Sequence, residues 1–121
     1  MTIDTNILVD YLNGEQVAIQ KINEWKEEGR ALFISSISVT EVLALSVLTP
    51  TEVINARAFL DRFLSTPFDN TIAETAAFIK RKYHFKFPDA GIAATALFRH
   101  TPLVTRDKQF LKIKEISVFV I

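Results

Sequence analysis

Ala31-Leu32-Phe33-Ile34-Ser35-Ser36-Ile37-Ser38-Val39-Thr40-Glu41-Val42-Leu43-Ala44-Leu45 is the stretch that decides the fold. Its first four residues form an unbroken apolar run, as expected for a strand buried on both faces. Ser38 and Glu41 then stand at capping-box spacing, just ahead of Val42-Leu43-Ala44-Leu45, so a helix is expected to begin there. A strand without a polar face, followed at once by a helix, belongs to a parallel sheet whose crossover helices cover it.

The same alternation continues in both directions. Upstream, Ile3 reads as a short strand running into a turn at Asp4, with Ile7-Leu8-Val9 beyond it. Residues 15–28 look helical, with Val17, Ile22 and Trp25 on one face and Gly29 as the stop. Downstream, Thr49-Pro50-Thr51-Glu52 repeats the capping signal with Pro at the first helical position, and Val53, Ala56, Leu60, Phe63 and Leu64 give a helical face. Pro67-Phe68 reads as a turn or very short strand. Asp69 or Thr71 caps a helix whose inner face is Ile72, Ala76, Ile79 and Tyr83. Pro88-Asp89 opens a deeply packed helix through Ile92-Ala93-Ala94-Thr95-Ala96-Leu97. Leu103-Val104 makes a strand, Lys108 to Leu111 a helical turn, and Ile116 to Ile121 a last strand. The expected fold is one α/β domain over residues 1–121, a short central parallel sheet flanked by helices in three layers.

Composition narrows the chemistry. A chain of 121 residues has room for one domain. It has no cysteine, which removes disulfides, thiolate metal sites and thiol catalysis and fits a reducing compartment. With only two histidines, a His-rich metal site is excluded as well. No apolar run approaches the ~20 residues of a membrane span. Met1-Thr2-Ile3-Asp4 lacks the basic start of a signal peptide, so the expected location is the cytoplasm. Any chemistry must come from oxygen ligands or hydroxyls.

Four acids fall at or near the carboxyl ends of the expected strands, where open parallel sheets build their sites. Asp4 ends the first strand, Glu41 follows the second, Asp89 opens the Ala-rich helix, and Asp107 follows Leu103-Val104. Each has a purely structural explanation. Glu41 fits the third position of a capping box, Asp89 suits a helix dipole, and Asp107 suits an Asx-turn or a cap. Asp4 is hardest to explain this way, because a charge one position past a buried strand needs a partner. Clustered carboxylates raise one another's pKa, and a hard divalent cation such as Mg²⁺ or Mn²⁺ resolves the repulsion. Such an ion orients and activates water for attack on phosphorus without a His base or a Cys or Ser nucleophile. Asp10 lies near this group in sequence, whereas His84 and His100 sit in polar loops or helix ends.

At these positions the chain resembles a PIN domain, and within that family the VapC-like toxin nucleases of prokaryotic toxin–antitoxin pairs. The resemblance rests on four stretches in order: Ile3-Asp4-Thr5-Asn6-Ile7-Leu8, Ser38-Val39-Thr40-Glu41-Val42, Pro88-Asp89-Ala90-Gly91-Ile92-Ala93-Ala94-Thr95-Ala96, and Leu103-Val104-Thr105-Arg106-Asp107-Lys108-Gln109-Phe110. Pro67-Phe68-Asp69 adds a weaker match. The resemblance implies a Mg²⁺-dependent endoribonuclease, with Mn²⁺ as a substitute ion, that leaves a 5′-phosphate and a 3′-hydroxyl. It implies an acidic pocket of Asp4, Glu41, Asp89 and Asp107. Asp4 and Asp89 would be direct metal ligands, with Glu41 and Asp107 serving a second ion or metal-held water. Asn6 and Thr105 would orient carboxylates or the scissile phosphate. It also implies a homodimer and a small antitoxin partner. The chain departs from the family in a short first strand, in Gln109 where relatives carry a further acid, and in Gly91 where a larger residue is common.

The charge distribution bears on an RNA substrate. Lys plus Arg and Asp plus Glu are 14 each, but residues 1–70 carry a net of −5 and residues 71–121 a net of +5. Arg106 and Lys108 flank Asp107 and are the candidate RNA-phosphate contacts. Val47, Leu48, Phe59 and Phe63, in the expected helical hairpin around residues 38–64, are candidates for a dimer or antitoxin groove. Two other readings exist. A phosphoryl-receiver signalling domain shares the size and α/β order, but it needs an acidic pair after the first strand, an Asp after the middle strand and a late Lys. Asp4 stands alone, and Ile34-Ser35-Ser36 offers no Asp. A PIN-fold scaffold without activity would have little reason to keep all four acids.

Overall fold

A computed structural model describes all residues, Met1–Ile121. Five strands form one sheet: β1 (Thr2–Ile3), β2 (Phe33–Ser35), β3 (Leu64–Thr66), β4 (Leu103–Thr105) and β5 (Val118–Val120). Six α-helices connect them: α1 (Thr5–Leu12), α2 (Gln16–Glu27), α3 (Ser36–Leu43), α4 (Pro50–Leu60), α5 (Asn70–Tyr83) and α6 (Phe87–Arg99). A 3-10 turn covers Lys108–Lys112. The strand order is β3-β2-β1-β4-β5. Every pairing is parallel, with Thr2 opposite both Phe33 and Leu103.

Consecutive residues of a strand face opposite sides of a sheet. Leu103 accordingly enters a cluster with Ile72, Ile79, Ile92 and Phe110, while Val104 enters one with Ile3, Ile22, Ile34 and Phe59. Helices α5 and α6 thus cover one face and α1, α2 and α4 the other, giving three layers. The order reverses at β1. The chain runs outward through β2 and β3, then returns to β1's other edge with β4 and β5. Such a switch point opens a crevice at the carboxyl ends of the strands.

The local signals explain most elements. Thr49 and Glu52 form the expected reciprocal capping box. Asp69 caps α5 through Ile72 N, and Gly29 follows α2 at φ +74°. Other boundaries differ from expectation. The segment after Asp4 is a helix and not merely a turn, because Asp4 itself is the N-cap of α1. Helix α3 starts at Ser36, since Ser35, the last residue of β2, accepts from Ile37 N at 3.1 Å and caps it three residues ahead of the expected box. Strand β3 precedes Pro67, leaving Leu64 exposed. On α2, Ala18 takes the inward place expected for Val17, which is exposed.

Candidate functional site

The crevice beside β1 holds an open pocket of about 370 Å³ lined by Asp4, Thr5, Asn6, Val9, Asp10, Glu41, Asp89 and Asp107. The four expected acids therefore meet, each from a different element. Asp4 joins β1 to α1 and is 4% exposed. Glu41 lies on the inner part of α3, Asp89 in the first turn of α6, and Asp107 just past β4. Because Ser35 caps α3, the capping explanation of Glu41 falls away. Asp107 does cap the 3-10 turn, through Gln109 N at 3.0 Å.

Hydroxyls and amides hold these carboxylates. Thr5 N donates to Asp4 Oδ1 and Thr105 Oγ1 donates to Asp4 Oδ2, both at 2.7 Å. Thr105 Oγ1 in turn accepts from Asp107 N at 3.0 Å and from Asn6 Nδ2 at 3.4 Å. Thr5 Oγ1 donates to Glu41 Oε1 at 2.7 Å and lies 2.8 Å from Ser38 Oγ. Gln109 Nε2 donates to Asp107 Oδ2 at 2.7 Å. Thr5, Ser38 and Gln109 are supporting residues whose role toward the acids the sequence did not reveal. Their signal was only proximity to a candidate acid.

The electrostatics are those of an uncompensated anionic site. None of Asp4, Glu41, Asp89 or Asp107 takes part in a salt bridge. Burial, with a smaller push from the charges of Asp89 and Glu41, raises Asp4 to about 6 against the hydrogen bonds from Thr105 and Thr5. Asp89 is also raised, first by burial and then by Asp107 and Glu41, with Lys86 opposing. Asp10, a fifth acid in the pocket wall, differs from the rest because Arg106 Nε pairs with it.

This donor set fits a hard divalent cation: it is all oxygen, anionic and open to water. No three of the carboxylates converge tightly enough to ligate one ion together.

The basic candidates separate. Lys108 is exposed. The Arg106 guanidinium is committed to Asp10 and Glu15 and lies 3.5 Å from the Ile121 carbonyl, so it does not project freely as the sequence led us to expect. His84 and His100 end α5 and α6 in left-handed conformation, away from the pocket. Phe59 and Phe63 are core residues at 6% exposure each, which removes them from any partner surface. Val47 and Leu48 instead line an apolar groove of about 350 Å³ with Leu12, Leu45 and Ala56. Val9 belongs to both this groove and the acidic pocket.

Known structures share this fold. A chain of a toxin–antitoxin complex from Klebsiella pneumoniae is 30% identical with a TM-score of 0.84, covering 99% of this chain and 98% of its own. VapBC2 from Rickettsia felis, bound to a promoter DNA fragment, matches with TM-score 0.85 at 19% identity over 99% of this chain and 97% of its own. DNA-bound VapBC from Salmonella typhimurium matches with TM-score 0.84 at 22% identity over 98% and 96%. The last two show the fold alone. No curated protein matches. Residues 1–116 match the family model described as PIN domain. With the parallel sheet and the acids at its switch point, that match identifies the chain as a member of the PIN domain family.

Proposed function

We propose that this chain is a Mg²⁺-dependent endoribonuclease and the toxin of a toxin–antitoxin pair. The observation that carries the reading is the meeting of Asp4, Glu41, Asp89 and Asp107 in one open pocket with no cation paired to them. Asp4 and Asp89 would hold the ion directly, while Glu41 and Asp107 serve through water or a second ion. When bound, Mg²⁺ supplies Lewis-acid polarisation of the phosphodiester and a more acidic water. The chain's own part is placement. Thr105 and Thr5 N fix Asp4, the Thr5 hydroxyl fixes Glu41, and Gln109 fixes Asp107. Asn6 steadies Thr105, and exposed Lys108, next to Asp107 in the chain, would meet the RNA backbone. Hydrolysis leaves a 5′-phosphate and a 3′-hydroxyl.

The partner follows from the complex that the Klebsiella chain belongs to, and the groove at Val47 and Leu48 offers a seat for an apolar segment. No helix is long and apolar enough to cross a membrane. A cysteine-free, metal-using RNA hydrolase suits the cytoplasm, and we expect it as a homodimer.

The test is cleavage of total RNA with Mg²⁺ by the wild type, Asp4→Asn and Asp89→Asn. Each substitution should lower the rate by roughly 100-fold or more while the fold persists. Undiminished cleavage in either variant, or in excess EDTA, overturns the reading.

A further inference from the structure

Arg106 is the residue whose structural role departs most from its sequence-based expectation. It stands between Thr105, which holds Asp4, and Asp107, which lines the pocket. Its backbone N donates to Asn6 Oδ1 at 3.4 Å. Its guanidinium turns to two acids. Nε pairs with Asp10 and Nη2 pairs with Glu15. Glu15 is itself fixed, since its two oxygens accept from Val17 N at 3.1 Å and Ala18 N at 2.9 Å as the cap of α2. Asp10 has no such second anchor. Asn6 and Asp10 lie four residues apart on α1, both line the pocket, and both are held by the same arginine. Of the five acids lining the pocket, only Asp10 has a cation in contact.

We propose that Arg106 is a positioning residue that withholds Asp10 from the pocket and so limits the carboxylates open to a divalent cation to Asp4, Glu41, Asp89 and Asp107. The inference rests on the pocket being a cation site. With Arg106 in place, the Arg106–Asp10 pair adds no net charge beside the bound ion. Without Arg106, Asp10 becomes a fifth bare carboxylate in the pocket wall. Without Asp10, Arg106 is left with Glu15 alone and the pocket wall loses one negative charge. The two substitutions therefore act on cation affinity with opposite signs, and together they cancel. A phosphate-contact role for Arg106, or a direct-ligand role for Asp10, gives a different pattern.

The experiment is Mn²⁺ binding in the absence of RNA, read by isothermal titration calorimetry and by electron paramagnetic resonance of the free ion. The proteins are the wild type, Arg106→Gln, Asp10→Asn, the double variant and Arg106→Lys. Arg106→Gln should bind Mn²⁺ about fivefold to tenfold tighter, or take up an additional ion. Asp10→Asn should bind about fivefold to tenfold more weakly. The double variant should return to the wild-type affinity, and Arg106→Lys should stay near it. Weaker or unchanged binding in Arg106→Gln overturns the proposal. So does a double variant as weak as Asp10→Asn, which makes Asp10 a direct ligand. If Arg106→Gln does not fold, Asp10→Asn, the double variant and Arg106→Lys still decide, because mutual cancellation is the required result. Binding by Arg106→Gln but not by the wild type upholds the withholding role while contradicting a cation site in the native protein. Binding by neither removes both.

Discussion

Asp4 carries the highest cost of any side chain in the pocket, and that cost can be measured. Its carboxyl is 4% exposed and pushed up to about 6 from an ordinary value of 3.8, chiefly by burial. A carboxyl raised on folding binds its proton more tightly in the folded chain. Its penalty is absent below the unfolded value, builds as pH climbs from about 4 to about 6, and is complete above that. At pH 7 it is on the order of 3 kcal/mol. In EDTA, melting temperature should therefore fall across this interval, and Asp4→Asn should flatten the fall. At neutral pH that variant should be the more stable protein and the inactive one, the trade-off expected of a functional charge. A steeper fall in Asp4→Asn than in the wild type would contradict this account. Thr105→Val, which strips the hydroxyl from Asp4, Asn6 and Asp107 at once, should cost about 1–3 kcal/mol and lower RNA cleavage; Thr105→Ser should restore both. Thermal melts and cleavage rates of the two variants check it. At this scale the four acids were legible because residue type and strand-end placement coincide. Thr105 was expected to orient a carboxylate or the phosphate, but the partners were not legible, since Thr5 to Glu41 and Thr105 to Asp4 join residues 36 and 101 apart in the chain.

Among the elements, the pairing of α3 with α6 decides whether Glu41 and Asp89 face one another. Gly91 sits inside α6, and a Cβ there would run into Ile37 Cδ1 of α3 and come within 3.2 Å of the Phe68 ring. The glycine thus lets the Ile37 and Phe68 side chains pack directly against α6. Gly91→Leu should cost about 1–3 kcal/mol by overpacking and lower cleavage by spreading the two acids, both readable in one melt and one rate assay. Thr49→Ala offers the contrast. Losing that cap should cost about 1 kcal/mol and leave cleavage unchanged, because α4 contributes nothing to the pocket. Elements with a strong local signal, such as the capping box of α4 and the Asp69 cap of α5, could be located from the chain alone. Helix α1 could not, because its eight residues are too few for a clear apolar period and its cap doubles as a site residue. The edge strand β3 was displaced by three residues, because the apolar Pro67-Phe68 drew attention away from the half-exposed Leu64–Thr66.

Taken whole, the molecule is a sheet with two cores and one charged edge, and the edge should respond to cations as a unit. Mg²⁺ added at pH 7 should raise the melting temperature by several degrees. An excess of about 100 times the dissociation constant adds about 2.7 kcal/mol by mass action. Asp4→Asn and Asp89→Asn should lose that response. A rise of equal size in both variants would place the ion elsewhere. The net charge of zero, which taken alone argues against a nucleic-acid partner, is the sum of an acidic half that supplies Asp4 and Glu41 and a basic half that supplies Lys108. The pairing of Thr2 with Leu103 has a further consequence, in time. At ~5–20 residues per second, a ribosome needs roughly 5–20 s to travel from one to the other. Throughout that interval β1 has one neighbour at most, and Thr105 and Asp107 do not yet exist. A growing chain therefore carries its first acid long before it has a pocket, and the four carboxylates can meet only once Asp107 has followed.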